Sequence, residues 1–133
     1  MSRYVIDASA AVEYLLRTPL GLKLAQVIEG ESLLAPELLD VEVLSVLRRA
    51  VLRRQLAEQR ALLAIEDLMD WAIDRIPHAS LVWSAWQYRN NVSAYDAFYV
   101  AAARLSEASL LTADGPLARA PSLGIAVENI RLT

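Results

Sequence analysis

Short apolar runs alternate with longer amphipathic segments along the chain, and this alternation predicts strands and helices in turn. Runs rich in β-favouring residues predict strands over residues 3–7, 32–35, 73–76, 109–113 and 125–130. Apolar residues at helical spacing predict helices over residues 9–17, 37–54, 57–71, 80–89 and 93–106. Ser9 is the predicted N-cap of the first helix. Strands that alternate with helices indicate an α/β layer architecture with a mainly parallel sheet of about four to five strands.

Helix-breaking residues mark the ends of several of these segments. Pro77 makes a helical continuation through residues 72–78 unfavourable, and Asn90 and Asn91 break the helix that precedes them. Gly115 and Pro116 are expected to force a turn after the strand over residues 109–113. Turn chemistry therefore agrees with the hydrophobic pattern.

Composition limits the class of protein. The 133 residues predict one domain over residues 1–133, which can bury roughly two-thirds of its unfolded surface. The chain has no cysteine, lacks an apolar run of about 18 residues and does not begin like a signal peptide, so we expect a cytoplasmic protein without a membrane span. A net charge of −3 argues against a broadly basic nucleic-acid binder and leaves a local basic patch open.

Four acidic residues stand where a predicted strand ends or a helix begins. Asp7 and Asp114 follow strands, Glu42 lies about one turn inside a helix, and Asp96 closes the capping-box sequence that starts at Ser93. Ligands of parallel sheets bind beyond the carboxyl ends of the strands. Carboxylates gathered there repel one another and need a counter-charge, for which a hard divalent cation is suited. With no cysteine and one histidine, the chain favours Mg²⁺ or Mn²⁺ over a Cys/His zinc site.

Each acid also has a purely structural explanation. Asp7 could form an Asx-turn, Asp96 could be the N3 carboxylate of the capping box, and Asp114 could be a turn former before Gly115. Glu42 differs, because an unpaired charge among its leucine and valine neighbours would be costly to bury. Asp40 lies about 200° around the helix from Glu42, so the two cannot face one site, and we assign Glu42 to it.

Taken together, these segments form a known pattern: the chain resembles the PIN-domain nucleases and, within them, the small VapC-type toxins of toxin–antitoxin pairs. The resemblance covers the whole length and rests on segments in the order and at the spacing of that family. They read YVIDASAAVEYLL, LAPELLDVEVLSVLRR, VSAYDAFYVAAARL and SLLTADGPLARA. The most specific part is YDAFYVAAA followed shortly by LLTAD, whereas an aspartate after a short strand is common in α/β proteins.

The resemblance implies a PIN-like three-layer fold and metal-dependent cleavage of RNA. Mg²⁺ can activate water, polarise a phosphoryl oxygen and steady the leaving group. The resemblance assigns the catalytic, metal-binding carboxylates to Asp7, Glu42, Asp96 and Asp114, and the supporting hydroxyls to Ser9 and Thr112. The resemblance also implies an RNA substrate and a cognate VapB-type antitoxin, and we expect a homodimer. Two departures stand out: Ser45 is near the place where many relatives have asparagine, and the aspartate at the fourth site varies within the family.

Basic and aromatic residues offer contacts for such a substrate. The arginines at 48, 49, 53 and 54 fit either a solvated helix end or a phosphate-binding patch. Exposed rings can stack on the bases of single-stranded RNA, although core packing is the alternative. The candidate stacking residues are Trp83, Trp86, Tyr88 and Tyr95.

The two helices predicted over residues 37–71 carry more apolar side chains than one small sheet needs. A homodimer or an antitoxin could bury this surplus, and ordinary core packing is the alternative. The residues are Leu52, Leu56, Leu62, Leu63, Leu68 and Met69.

Other functions agree less well with the sequence. A phosphotransfer receiver wants a lysine late in the chain, and the single lysine is Lys23. A haloacid-dehalogenase-type phosphatase wants a second aspartate where Ser9 stands. His78 is expected to be structural or superficial, so a Ser-His-Asp triad is not formed. A catalytically inactive PIN-like binding module, and a PIN nuclease outside toxin–antitoxin systems, remain the alternatives.

Overall fold

Five parallel strands form the centre of the computed structural model, which describes residues 2–120 and 123–132. The strands are β1 (Arg3–Ile6), β2 (Ser32–Pro36), β3 (Asp74–Ile76), β4 (Ser109–Thr112) and β5 (Val127–Asn129). Their order across the sheet is β3-β2-β1-β4-β5, so the first strand of the chain is the central one. The prediction of an α/β fold with a mainly parallel sheet is confirmed, and every strand pairing in the described residues is parallel.

Seven helices connect and flank the strands in the described part of the chain. They are α1 (Ala8–Leu15), α2 (Pro19–Ile28), α3 (Leu38–Leu52), α4 (Glu58–Asp70), α5 (Val82–Trp86), α6 (Ala94–Leu105) and α7 (Gly115–Ala118). Single turns of 3-10 helix cover His78–Ser80 and Ile130–Leu132. Helix α6 packs on β1, β2 and β4, and α1 packs on β4 and against α2 and α3. None of the helices described is long and apolar enough to cross a lipid bilayer.

Register brings the ends of β1 and β4 together. Ile6 is paired with Leu111, and the Asp7 amide donates to the Leu111 carbonyl at 3.1 Å. Asp7, directly after β1, and Thr112, the last residue of β4, therefore meet at one edge of the sheet together with the residues that follow Thr112. This edge is the one where parallel sheets bind their ligands.

Several predicted boundaries are wrong for identifiable reasons. Ser9 does not cap α1: Asp7 is the N-cap, and its side chain accepts from the Ala10 amide. The helices predicted to reach Arg17 and Arg54 end two residues earlier, because both arginines adopt left-handed backbone conformations, with φ of 55° and 58°.

Other elements were missed or overextended. Helix α2 was not predicted, although Thr18 accepts from the Gly21 amide and Pro19 occupies the first helical position, which together form a typical helix start. The helix predicted over residues 80–89 is a 3-10 turn followed by the five-residue α5. Gly115 and Pro116 begin the one-turn helix α7, where a turn was expected.

The core lies between the sheet and the helices, and its packing is closest around α6. Residues 100–103 of α6 are fully buried, and small alanine side chains there let the helix approach the strands closely. Leu68, which we expected among the surplus apolar residues, is 2% exposed and belongs to this core. Leu56 is partly buried against it. Leu52, Leu62, Leu63 and Met69 are exposed.

Candidate active site

The four acidic side chains singled out from the sequence line one cavity of about 320 Å³ at the carboxyl edge of the sheet. We call it the acidic cavity. Two of its acids follow strands β1 and β4, and the other two lie on α3 and α6. Its lining consists of Asp7, Ala8, Ser9, Glu42, Ser45, Val46, Arg49, Asp96, Tyr99 and Asp114.

Asp7 is the most deeply placed of the four, with 4% of its surface exposed. Its Oδ1 accepts from the Ser9 hydroxyl at 2.6 Å and from the Ala10 amide at 3.0 Å, and its Oδ2 accepts from the Thr112 hydroxyl. The carboxylate is therefore fixed by α1 on one side and by the end of β4 on the other. Both predicted supporting hydroxyls contact Asp7 directly.

Ser9 and Thr112 join α1 to the loop after β4. The Ser9 hydroxyl accepts from the Ala113 amide at 2.9 Å, and the Thr112 hydroxyl accepts from the Asp114 amide at 2.9 Å. The two hydroxyl oxygens lie 3.3 Å apart. Thr112 is completely buried, so its hydroxyl depends on these partners.

The surroundings of Asp7 disfavour its charged form. Burial raises the pKa of Asp7 from 3.8 to about 6, and the nearby Asp96 carboxylate adds to the rise. Hydrogen bonds from Ser9, Thr112 and the Ala10 amide stabilise the carboxylate and limit the increase in pKa. A deep carboxyl group with this environment is typical of functional sites.

Asp96 enters the cavity from the first turn of α6. Ser93 caps the helix by accepting from the Asp96 amide at 3.2 Å, as the capping-box sequence predicts. Burial raises the pKa of Asp96, and the carboxylates of Asp114 and Glu42 raise it further. The acids are thus close enough to repel one another: Asp114 and Glu42 raise the pKa of Asp96, and Asp96 raises the pKa of Asp7.

Glu42 and Asp40 point to different parts of the molecule, as the helical angle between them predicts. The Tyr99 hydroxyl donates to Glu42 Oε1 at 2.7 Å, and both residues line the cavity. Asp40 instead accepts from Arg75 Nη2 at 2.8 Å, away from the cavity lining. Glu42 therefore lies in the lining of the acidic cavity, and Asp40 does not.

Asp114 is placed by the Thr112 contact described above and by its position directly before α7. It is the N-cap residue of this helix, but its side chain makes no capping hydrogen bond. The side chain is half-buried and lines the cavity. Its purely structural explanation, a turn former before Gly115, therefore leaves the orientation of the carboxylate unexplained.

Comparison with known proteins agrees with this arrangement. Residues 4–123 match the PIN domain family. The chain is 39% identical over 133 residues to Ribonuclease VapC1 of Mycobacterium tuberculosis, an alignment that covers 98% of this chain and 100% of that protein. The chain belongs to the PIN-domain family, in its VapC group.

Solved PIN-fold structures show the same architecture at low sequence identity. PAE2754 from Pyrobaculum aerophilum is 18% identical, with a TM-score of 0.68 over 98% of this chain and 86% of that one. A chain of VapBC2 from Rickettsia felis, solved bound to a DNA fragment from its promoter, is 15% identical, with a TM-score of 0.64 over 95% and 97%. These likenesses confirm the PIN-like fold.

The carboxylate oxygens of this PIN-domain cavity suit a hard cation, but they are not already arranged around a common metal position. In residues 2–120 and 123–132, no group of three or more acidic or histidine side chains is arranged to hold a metal ion. Their mutual electrostatic effect nevertheless raises the pKa of Asp96. The cavity therefore offers oxygen ligands whose repulsion a divalent cation would relieve.

Three polar residues of the lining were not assigned to the site from the sequence. Tyr99 follows Asp96 by three positions, and Ser45 and Arg49 follow Glu42 by three and seven. Side chains at such spacings share one face of a helix. Helical spacing from a predicted acid was therefore the signal that could have identified them. Arg48, Arg53 and Arg54 are exposed and do not line the cavity, which singles out Arg49 from the arginine cluster.

The remaining singled-out residues lie elsewhere in the PIN domain. His78 accepts from the Leu38 amide at 2.8 Å through Nε2, and so satisfies the start of α3. Tyr88, a predicted stacking surface, is buried, and its hydroxyl donates to the Leu123 carbonyl at 2.9 Å. Trp83, Trp86 and Tyr95 are exposed.

Proposed function

We propose that this chain is the toxin of a VapBC-type toxin–antitoxin pair, an endoribonuclease that hydrolyses RNA phosphodiester bonds with Mg²⁺ or Mn²⁺. The observation that carries the proposal is the convergence of Asp7, Glu42, Asp96 and Asp114 on one cavity. Family membership supports it, because the relative VapC1 is named a ribonuclease. In this proposal the four carboxylates hold the cation and RNA enters the same cavity.

The structure supports this set of ligands through its electrostatics. A bound divalent cation would supply Lewis-acid stabilisation of the phosphoryl oxygens and lower the pKa of a coordinated water molecule. Carboxylate oxygens keep lone pairs free beyond the hydrogen bonds that Asp7 and Glu42 already accept. The acids are not preassembled in the described residues, so metal binding would have to draw Glu42, Asp96 and Asp114 toward a common ion.

Residues around the acids have separate parts in the proposed reaction. Ser9 and Thr112 fix Asp7, and Tyr99 fixes Glu42, so that two of the proposed ligands keep their orientation. Arg49 is the cationic member of the cavity lining and can bind a phosphate oxygen pair through its guanidinium. The attacking group in this proposal is water, because the Ser9 hydroxyl already donates to Asp7, His78 is held at the start of α3, and the chain has no cysteine.

Cleavage assays with the isolated toxin test the proposal. Protein freed of any antitoxin should cut a panel of cellular RNAs with Mg²⁺ or Mn²⁺ and lose this activity in excess chelator. Asp96→Asn should abolish cleavage, whereas Asp74→Asn, at an exposed acid on β3, should leave it intact. Equal cleavage with and without chelator, or full activity of Asp96→Asn, would refute the proposal.

Calorimetry separates an active site from a PIN-like binding module that keeps only the fold. The absence of a preassembled metal-binding group in the described residues is the observation that favours such a module. Titration of the wild type with Mn²⁺ should give a saturable signal, and Asp7→Asn should weaken it. Flat titrations of both proteins would favour the binding module.

The proposal includes an antitoxin of the VapB type. VapBC2, the PIN-fold neighbour described above, carries both partners in its name. In this chain, exposed apolar side chains on the adjoining helices α3 and α4 offer surface to cover. Expression should arrest growth, and co-expression of the neighbouring small open reading frame should relieve it and yield a complex on size-exclusion chromatography. Growth arrest unchanged by the neighbour would contradict the toxin–antitoxin assignment.

A homodimer formed through the same two helices completes the proposal. Leu52, Leu63 and Met69 are exposed and would lose contact with water at such an interface. Light scattering of the wild type should give the mass of a dimer, and Leu63→Ser should shift it toward a monomer. Leu22→Ser, at a similarly exposed leucine on α2, should not change the mass.

A further inference from the structure

An aromatic groove lies beside the acidic cavity and has no part in the proposed chemistry. Its main features are Trp83, Trp86 and Arg89 on one side and Phe98 on α6 on the other. Trp83 is 81% exposed and Trp86 is 59% exposed. Two tryptophans that are largely in water, three positions apart on one helix, contribute little to the core, so their exposure needs another explanation.

Helix α6 connects the groove to the acidic cavity. Asp96 and Tyr99, three residues apart, line the cavity, whereas Ala94, Ala97 and Phe98 line the groove. The two sets occupy adjacent faces of the first two turns of one helix. Any extended ligand that crosses the start of α6 would therefore touch both sites.

The groove is mostly apolar, and the charged side chain among its described lining residues is Arg89, a combination that favours an anionic, aromatic ligand. None of the described residues that line the groove is acidic. Arg89 lies with its guanidinium carbon 5.1 Å from the centre of the Trp86 ring and donates to the Trp86 carbonyl at 3.1 Å. This arrangement holds a cation next to an exposed ring and leaves further N–H donors for a phosphate.

We propose that this aromatic groove binds single-stranded RNA next to the scissile bond, with bases stacked on Trp83 and Trp86 and a phosphate held by Arg89. The inference rests on the proposed function and deepens it, because it names the residues that select an unpaired substrate. A base presents a flat aromatic face to each indole, and duplex RNA keeps those faces stacked inside the helix. The groove thus discriminates between strands by the availability of their bases.

Binding measured without cleavage tests the groove independently of catalysis. The probe is a fluorescent oligouridylate of eight nucleotides, titrated in chelator, with a duplex of equal length for comparison. Trp83→Ala and Trp86→Ala should each weaken binding of the single strand by roughly tenfold, within the range for loss of one stacked base. Trp83→Phe should retain most of the affinity, and the duplex should bind weakly to all forms.

Two further readouts belong to this experiment. Indole fluorescence should be quenched by the single strand in the wild type and less so in Trp83→Phe, which lacks one of the two groove indoles. The third tryptophan, Trp71, is stacked on Tyr14 with ring centres 4.3 Å apart, outside the groove lining, and should not respond. Arg89→Ala should reduce the dependence of affinity on salt, as expected when one phosphate contact is lost. Leu22→Ala, at an exposed leucine on α2, is the control and should bind as the wild type does.

The outcomes separate the groove from the catalytic proposal. If cleavage is absent or independent of metal, the proposed function fails, while tryptophan-dependent binding in chelator would still support the groove. If Trp83→Ala cleaves and binds the single strand as the wild type does, the inference fails and the proposed function stands. A change in oligomeric state or antitoxin binding with unchanged RNA affinity would assign the groove to a protein partner and also overturn the inference.

Discussion

The Tyr99 hydroxyl donates a hydrogen bond to Glu42 Oε1 at 2.7 Å and so links α6 to α3 across the acidic cavity. Tyr99 is 1% exposed, and burial together with the Glu42 carboxylate raises the pKa of its hydroxyl above the ordinary value. The phenol therefore stays protonated and remains a donor wherever the protein is folded. Glu42 is thus oriented by a group that does not itself titrate in the working range.

Tyr99→Phe should weaken Mn²⁺ binding and RNA cleavage, because it removes the group that orients Glu42. Loss of such an outer partner of a metal ligand typically costs about 10- to 100-fold in metal affinity or activity. The free energy of unfolding should fall by only about 1 kcal/mol. Calorimetry with Mn²⁺ and urea denaturation measure the two effects separately.

Tyr88→Phe is the matched control for that variant. It also removes a buried phenol hydroxyl, which here donates to the Leu123 carbonyl, outside the acidic cavity. We expect a similar loss of stability and unchanged Mn²⁺ affinity. If both variants bind Mn²⁺ as the wild type does, Tyr99 has only a structural role.

Asp7→Asn should stabilise the metal-free protein at neutral pH. A carboxyl whose pKa rises on folding binds more protons in the folded state, so the wild type loses stability as pH rises from about 4 to about 6. The loss is then complete above pH 6 and amounts to about 3 kcal/mol for a pKa difference of about two units. The asparagine cannot ionise and escapes it.

Thermal melts between pH 3.5 and pH 8 in chelator measure this effect. The variant should melt at a higher temperature than the wild type above pH 6, and the difference should shrink as pH falls toward 4. Exposed Asp74→Asn is the control and should show no such dependence. A variant that is equally destabilised at every pH would show that the lost carboxylate contacts outweigh the relief of its buried charge.

Asp40→Asn and Glu42→Gln should have opposite consequences, although the residues are two positions apart. The Asp40–Arg75 ion pair is partly exposed, so its loss should cost about 0.2 to 1 kcal/mol of stability and leave cleavage unchanged. Glu42→Gln should reduce cleavage by at least about a hundredfold, because it alters a proposed metal ligand rather than its support. Parallel melts and cleavage rates decide the matter, and equal losses of activity would contradict the separation of the two acids.

Gly21→Ala should destabilise the fold despite the higher helix propensity of alanine. A Cβ at residue 21 would lie 1.9 Å from the Glu13 carbonyl oxygen, so α1 and α2 would have to move apart. We expect a loss above about 2 kcal/mol, which exceeds the gain of about 1 kcal/mol from replacing a helical glycine. Urea denaturation measures it. Gly115→Ala, where the neighbour is the mobile end of Arg119, is the control and should remain near the wild type.

The convergence of the four acids could be predicted because parallel topology fixes where strand ends lie. Asp7 and Asp114 follow strands that the apolar pattern reveals, and neighbouring parallel strands end at one edge. Glu42 and Asp96 were placed by helix geometry and by the capping sequence, which act over a few residues. Local rules therefore sufficed for the carboxylates.

Contacts between distant helices were beyond those rules. The Tyr99–Glu42 hydrogen bond joins residues 57 positions apart and depends on how α6 packs against α3. Leu62 and Leu68 are the same residue type on the same helix, and only the packing of α4 shows that Leu68 is buried and Leu62 is exposed. Helix α2 was different, because its start at Thr18 and Pro19 was readable and simply missed.

The central position of β1 also determines when the carboxylate cluster can assemble during synthesis and folding. Asp7 is synthesised before the Thr112 hydroxyl that holds it, which follows 105 positions later in the chain. A nascent chain therefore carries an unfinished carboxylate cluster until β4 has been made and paired beside β1. Pairing between strands so far apart in sequence is also slow to form. The proposed nuclease would thus emerge inactive, and an inhibitor already present would have the whole period of synthesis and folding in which to reach it.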